Sequence, residues 1–252
     1  MATFVELTPE RRGELDVYPF LGARTLGVDA FVTGRQGGVS TGPYASLNLG
    51  SHVSDDSEAV RENRDRVARA AGAHALITCR QVHSSAVVDA LSVSPTTEAD
   101  AISTALSGLA LATLVADCVP LVLIDETSSH YCVVHAGWRG LAAGVIANAL
   151  RSFPAAATIH AFVGPSISPQ TYQVGPEVAE QFSHYAGAVF PDTGDRSRLD
   201  LQRIVHAQLT SHDVLDERIT FSLQSTDGGD TFFSDRAERP CGRFALVARR
   251  AS

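Results

Sequence analysis

Apolar residues along the chain gather in short runs separated by turn-forming residues, and the runs read mostly as strands. Residues 111–115, 121–124 and 131–134 are nearly unbroken apolar stretches and predict a cluster of buried strands at the centre of the chain. Residues 30–33 read as a strand that enters the loop Gly34-Arg35-Gln36-Gly37-Gly38-Val39-Ser40, whose glycines permit a tight backbone path. Shorter strands are expected at 76–78 and 86–90, a strand at 159–163 halted by Gly164-Pro165, and two closing strands at 218–223 and 243–248. Val60, Arg64, Val67 and Ala71 recur at helical spacing, with Ser54, Asp55 and Asp56 as candidate caps. Further helices are expected over 141–153, ended by Pro154, and over 176–185 and 199–209, each with a Pro or acidic start. Strands outnumber helices without alternating regularly with them. That predicts an α+β fold, a single layered domain over residues 1–252 with mixed β-sheets flanked by helices. No repeat, low-complexity tract or linker interrupts it.

Composition narrows the function. The 252 residues are 44% hydrophobic, enough for a substantial core, and the formal net charge is −8. An acidic chain is a poor electrostatic partner for nucleic acid or an anionic membrane, although a few Arg could still build a local phosphate pocket. The most apolar region, 109–124, is interrupted by Asp117 and Pro120 and reads as strands rather than a membrane span. The N-terminus lacks a basic stretch followed by an apolar one, and Cys79, Cys118, Cys132 and Cys241 form no C-x-x-C pair. A cytoplasmic, reduced chain without disulfides is expected. With no heptad and no long apolar stripe, a monomer acting on a small-molecule substrate is expected.

Three residues carry candidate chemistry. His83 in Gln81-Val82-His83-Ser84, Cys118 in Ala116-Asp117-Cys118 and His135 in His135-Ala136-Gly137-Trp138-Arg139-Gly140 each lie at or just past the end of an expected strand. Strand ends are where distant segments converge on a site. One thiol and two imidazoles suffice for an open zinc site, or for a thiol nucleophile with its base. The plain alternative is a buried apolar Cys and two ordinary His. Arg139, at the start of an expected helix, would suit an anion, or else pair with a surface carboxylate. Asp117 faces away from Cys118 in an extended chain and could act as base or orienter only if the chain turns there.

Taken in order, Gly37-Gly38-Val39-Ser40, Ser46-Leu47-Asn48-Leu49-Gly50, Asn63-Arg64, Gln81-Val82-His83, Ala99-Asp100-Ala101, Ala116-Asp117-Cys118, the His135–Gly140 motif, Gly164-Pro165-Ser166-Ile167 and Phe232-Phe233-Ser234 form a recognisable series. It resembles the family once called multicopper polyphenol oxidoreductase, or laccase-domain, and now described as purine nucleoside phosphorylase; some bacterial members are called peptidoglycan editing factor. The resemblance runs from about Ala30 to Arg243. It implies a layered α+β fold and a zinc held by His83, Cys118 and His135. It also implies phosphorolysis of adenosine, inosine, guanosine and methylthioadenosine, with deamination of adenosine. Cys118, Asp117 and His135 become the candidate catalytic residues; Arg35, Asn48, Arg64, Gln81 and Arg139 the candidate substrate-binding ones. The chain departs from the family pattern at Gln224-Ser225, where Cys-Thr is usual, and at Asp235-Arg236-Ala237, where Tyr-Arg-Arg is usual.

The older name can be weighed against the residues. A multicopper oxidase needs roughly ten His, mostly in H-x-H pairs. This chain has nine His and no such pair, so copper oxidase chemistry is rejected. The H-x-E with P-C-x-x-C signature of nucleobase deaminases is absent too. Three readings remain: a zinc-dependent purine nucleoside phosphorylase with adenosine deaminase activity; a Cys–His amide hydrolase that edits peptidoglycan precursors; and a non-catalytic nucleotide-binding module with a structural zinc.

Overall fold

The structure, a computed structural model, describes residues 1–251. Its centre is a seven-stranded mixed sheet in the order Thr3–Val5 (β1), Ile219–Ser222 (β15), Ile159–Val163 (β11), Val119–Asp125 (β9), Tyr131–Ala136 (β10), Ala101–Thr104 (β7) and Val87–Asp89 (β6). A six-stranded sheet faces it, ordered Glu10–Arg12 (β2), Leu15–Pro19 (β3), Val28–Thr33 (β4), Phe244–Arg250 (β16), Ala110–Val115 (β8) and Leu76–Ile77 (β5). A small third sheet joins Gln173–Val174 (β12), Ser197–Leu199 (β14) and Val189–Pro191 (β13). The helices are Leu21–Thr25 (α1), Ser57–Ala70 (α2), Trp138–Ala142 (α3), Val145–Leu150 (α4), Pro176–Ala179 (α5) and Leu201–Ser211 (α6).

The unbroken apolar runs have a simple cause: both faces of both large sheets are covered. Along β9, Val122 and Ile124 point into the layer between the sheets, where they meet Val32, Leu111 and Leu246. The alternate residues Leu121 and Leu123 pack against Ile146, Val205 and Leu209 of α4 and α6 on the outer side. The far face of the second sheet buries Phe31, Ala112 and Val247 against Val67 of α2. The layers therefore run helices, sheet, sheet, helix, as the α+β expectation requires. Each Leu or Ile fully buried in this way stabilises the fold by about 1.5–3 kcal/mol.

The expected elements are recovered with informative differences. Asp56 caps α2, its carboxylate accepting from Glu58 N. Asp55 instead accepts from Ser40 Oγ and Asn48 Nδ2. The expected 141–153 helix is two short helices, α3 and α4, because Gly144 takes φ +83, a left-handed conformation that glycine tolerates and that ends the first helix. The 176–185 segment is a single turn of α-helix followed by a 3₁₀ turn, Glu180–Phe182. Strands β1–β3 and β7, helix α1 and the third sheet were not expected; most span only two to five residues, too few for periodicity to register. None of the helices is long and apolar enough to cross a membrane, among the described residues.

Candidate active site

The site lies at the open end of the layer between the two large sheets. β8 ends at Val115, the chain turns through Ala116-Asp117-Cys118, and β9 begins at Val119. The turn is sharp: Asp117 has φ +91, and its carboxylate pins the conformation. Oδ1 accepts from Thr226 Oγ1 at 2.6 Å and Ser234 Oγ at 2.7 Å, and Oδ2 from Arg236 N at 2.7 Å. The turn that sequence alone left open is therefore present. Asp117 ties the Cys118 segment to the 226–236 loop.

In the antiparallel pairing of β9 with β10, Val119 faces Ala136 and Pro120 faces His135. The next position down brings Gly137 against Cys118. A Cβ on Gly137 would stand 2.8 Å from Cys118 Sγ and 2.8 Å from His83 Cδ2, so only glycine lets the three side chains meet. His83 arrives from the loop after β5 with φ +59. Its Nε2 lies 3.8 Å from Cys118 Sγ, and its ring meets that of His135 edge-on at 4.7 Å between centroids.

Asp100 organises the set. Its Oδ1 lies 2.8 Å from His135 Nδ1 and accepts His83 N at 3.0 Å, while Oδ2 accepts Ser84 N at 2.5 Å and Ser84 Oγ at 2.8 Å. With Nδ1 held by the carboxylate, His135 offers Nε2 to the site, the carboxylate–histidine arrangement that orients metal ligands. Burial alone would raise the Cys118 thiol, but the imidazoles of His135 and His83 outweigh it and bring the thiol down to about 6. Burial likewise disfavours imidazolium at His135, yet the Cys118 thiolate and Asp100 outweigh it and lift that ring to about 9. The site thus favours thiolate, the form that both a metal and a nucleophilic role require.

The donor atoms of His83, Cys118 and His135 lie within 4.8 Å of one another and could hold a metal ion. Tetrahedral zinc with ordinary Zn–N and Zn–S lengths separates such donors by roughly 3.5 Å, close to the His83–Cys118 spacing. Among the described residues the group has three members, and they open into a cavity of about 370 Å³. Its walls include Trp138, Tyr172, His52, Arg236, Arg239 and Arg243. Burial, Arg243 and Arg64 all depress the His52 imidazole, so it is neutral at pH 7. Burial and the Cys118 thiolate raise the Tyr172 phenol, which stays protonated.

Of the residues expected at the site, His83, Cys118, His135, Asp117 and Gln81 line the cavity. Gln81 is locked to the end of β8, donating to Leu114 O at 2.7 Å and accepting Leu114 N at 2.8 Å. Asn48, Arg64 and Arg35 are not among the cavity-lining residues. Asn48 Oδ1 accepts Arg243 N at 2.9 Å, Arg64 Nε donates to Leu49 O at 2.8 Å, and Arg35 stacks on Phe233. Arg139 stacks on Trp138 at 4.2 Å, next to the cavity wall. Nothing in the local sequence gives a role to His52, Tyr172, Asp100 or the arginines at 236, 239 and 243. The spacing of Arg236, Arg239 and Arg243 within one loop of an acidic chain was the available signal.

Two facing mixed sheets, helices outside, and a potential metal centre at their open end define an α+β protein built to present a small-molecule cavity beside a His–Cys–His set. The chain belongs to the family described as multi-copper polyphenol oxidoreductase laccase, which matches residues 29–251. It is similar to a Pseudomonas aeruginosa protein named purine nucleoside phosphorylase, 37% identical over 235 residues, covering 87% of this chain and 92% of that one. The purine nucleoside phosphorylase YfiH of Escherichia coli is 35% identical, with 87% and 92% covered. Among solved structures, a Neisseria meningitidis protein superposes with TM-score 0.84 at 33% identity, covering 90% of this chain and 95% of that one. YlmD from Geobacillus stearothermophilus gives 0.88 at 27%, covering 98% and 100%.

Proposed function

We propose that the chain is a zinc-dependent purine nucleoside phosphorylase. Its substrates are adenosine, inosine, guanosine and S-methyl-5′-thioadenosine, with deamination of adenosine at the same centre. The observation that carries this reading is the opening of an oriented His–Cys–His set into a cavity that is also lined by arginines, a neutral imidazole and aromatic side chains. The names of the relatives supply the purine nucleoside. Two imidazoles and a thiolate suit zinc, and nine His without an H-x-H pair do not suit a multicopper cluster. Zinc, when bound, supplies Lewis acidity and a means of activating water at neutral pH.

In phosphorolysis an oxygen of phosphate bonds to C1′ of the ribose, the C1′–N9 bond breaks, and its electron pair leaves with the purine, which takes up a proton. Arg243, Arg239 and Arg236 hold the phosphate, since guanidinium forks match its oxygens. Trp138 and Tyr172 supply aromatic surface to the cavity that can meet the base and exclude water. His52 lines the same cavity and, as a neutral imidazole with one donor and one acceptor nitrogen, can pass a proton. Asn48 acts through Arg243, Gln81 through the end of β8, and Arg139 through Trp138, so they are positioning residues; Asp117 fixes both Cys118 and the amide of Arg236. The enzyme works as a cytoplasmic monomer on small molecules.

Cys118→Ala is expected to lose both stoichiometric zinc and base release from inosine. A metal-free Cys118→Ala protein with full activity would overturn the reading. One observation favours a second reading: Cys118, His135 and Asp100 stand in the order thiolate, imidazole, carboxylate. That order suits an amide hydrolase acting on peptidoglycan precursors of the UDP-MurNAc–amino acid kind. It predicts that iodoacetamide alkylates Cys118 in active, metal-free enzyme; protection of the thiol by one zinc per chain counts against it.

A further inference from the structure

Two carboxylates line the cavity, and they are held very differently. Asp117 is consumed by two hydroxyls and a backbone amide. Among the described residues Asp235 meets only guanidinium groups: Oδ1 accepts Arg243 Nη2 at 3.0 Å, and Oδ2 pairs with Arg239 Nη2. The two arginines are not equivalent. Arg243 has a side chain 18% exposed and is fixed from behind. Its Nη1 donates to Cys241 O and Gly242 O, and its backbone amide to Asn48. Gly50 leaves room for it, since a Cβ there would stand 2.8 Å from Arg243 Cγ. Arg239 has a side chain 77% exposed and its sole ionic partner is Asp235, among the described residues. The carboxylate of Asp235, 25% exposed, therefore sits between one largely buried, multiply bonded guanidinium and one exposed guanidinium, at the edge of a cavity that both line.

We propose that Asp235 is a specificity-determining residue: a tethered competitor that occupies the anion seat between Arg239 and Arg243 and sets the affinity for inorganic phosphate. The inference rests on the phosphorylase reading for the identity of the anion. A phosphate that takes the Nη2 edge of Arg243 must displace Asp235 from it or lie beside a like charge, and either weakens binding. Arg239, exposed and held only through Asp235 among the described residues, can leave with the displaced carboxylate or turn onto the phosphate.

The test is calorimetric titration of inorganic phosphate into the zinc-loaded full chain, with no nucleoside present. The wild type is compared with Asp235→Asn, Asp235→Ser and Arg243→Gln. Both Asp235 variants are expected to bind phosphate at least about tenfold more tightly, and Arg243→Gln to lose binding. The KM for phosphate should fall in the Asp235 variants in proportion to that gain, while the KM for uncharged inosine stays within about twofold. Asp235 variants that bind phosphate equally or more weakly would overturn the inference, because the carboxylate would then be positioning Arg243 rather than competing. Absence of phosphate binding in every protein would overturn it as well. Binding is read without turnover, so tighter phosphate binding in the Asp235 variants, alongside a zinc-loaded wild type that releases no base, would uphold the competitor role while overturning the phosphorylase reading.

Discussion

Replacing Asp100 by Asn tests how the donor set is built. The side chain stays nearly isosteric, but the charge disappears and one oxygen becomes an NH₂ group. In the wild type, Oδ1 serves His135 Nδ1 at 2.8 Å and His83 N at 3.0 Å, and Oδ2 serves Ser84 N at 2.5 Å, Ser84 Oγ at 2.8 Å and Val82 N at 3.3 Å. An Asn that keeps its oxygen toward His135 turns its NH₂ against the amides of Ser84 and Val82, leaving donors facing a donor. Flipped, it keeps those amides and abandons His135. Each buried donor left unpaired costs about 1–3 kcal/mol, so a net loss of about 2–3 kcal/mol is expected. For a chain of this size that lowers the melting temperature by roughly 4–12 °C. Loss of the carboxylate behind a metal-binding imidazole typically weakens metal affinity about 10–100-fold, or about 1.4–2.7 kcal/mol. Zinc affinity would be read by competition with a chromogenic chelator, and stability by thermal melting of the zinc-free protein. Zinc binding within twofold of wild type in Asp100→Asn, with binding abolished in His135→Ala, would refute the claim that Asp100 orients His135.

Gly137→Ala places a methyl 2.8 Å from both Cys118 Sγ and His83 Cδ2, so it should abolish stoichiometric zinc binding while the far-ultraviolet circular dichroism stays native; retained zinc would show that the segment yields. Asp117→Ala removes three hydrogen bonds at a buried position and should cost about 3 kcal/mol or more in urea unfolding, with an accompanying loss of activity; a change below 1 kcal/mol would show that the turn holds itself. Asp125 supplies a pH test away from the site: burial would raise its carboxyl, but bonds from Ser128 and Thr127 outweigh burial and hold it at about 2. Because the folded value lies below the ordinary one near 3.9, the stabilisation is fully present above about pH 4 and lost as pH falls toward 2. Asp125→Asn should therefore be less stable than wild type by about 2 kcal/mol at pH 7, and the gap should narrow by about 1 kcal/mol at pH 3; a gap independent of pH would contradict the assignment.

The parts of the fold legible in the sequence are those in which local pattern and tertiary environment agree. β8, β9 and β10 were readable because burial on both faces makes them continuously apolar. α2 was readable because Val60, Val67 and a capping Asp announce it. The helix over 141–153 was misjudged as continuous because Gly144 is only weakly disfavoured in a helix, and its left-handed φ is set by how α4 must turn to pack on β10. The metal donors were readable from residue type and strand-end position. The cavity walls were not, because topology creates them: β16 inserts between β4 and β8, and this carries Arg243 at its start to the Asn48–Leu49 loop, nearly two hundred residues earlier in the chain. No local signal reports that meeting. Asp100 was visible only as part of a motif, since its role depends on His135 lying beside it after β7 and β10 pair.

The most direct test of the central claim is product analysis by liquid chromatography, with purified protein of known zinc content incubated with inosine or adenosine, with and without phosphate. Hypoxanthine is expected from inosine and adenine from adenosine only when phosphate is present, at about one zinc per chain. Inosine is expected from adenosine whether or not phosphate is added. No base release from fully zinc-loaded protein, with phosphate in excess, would contradict it.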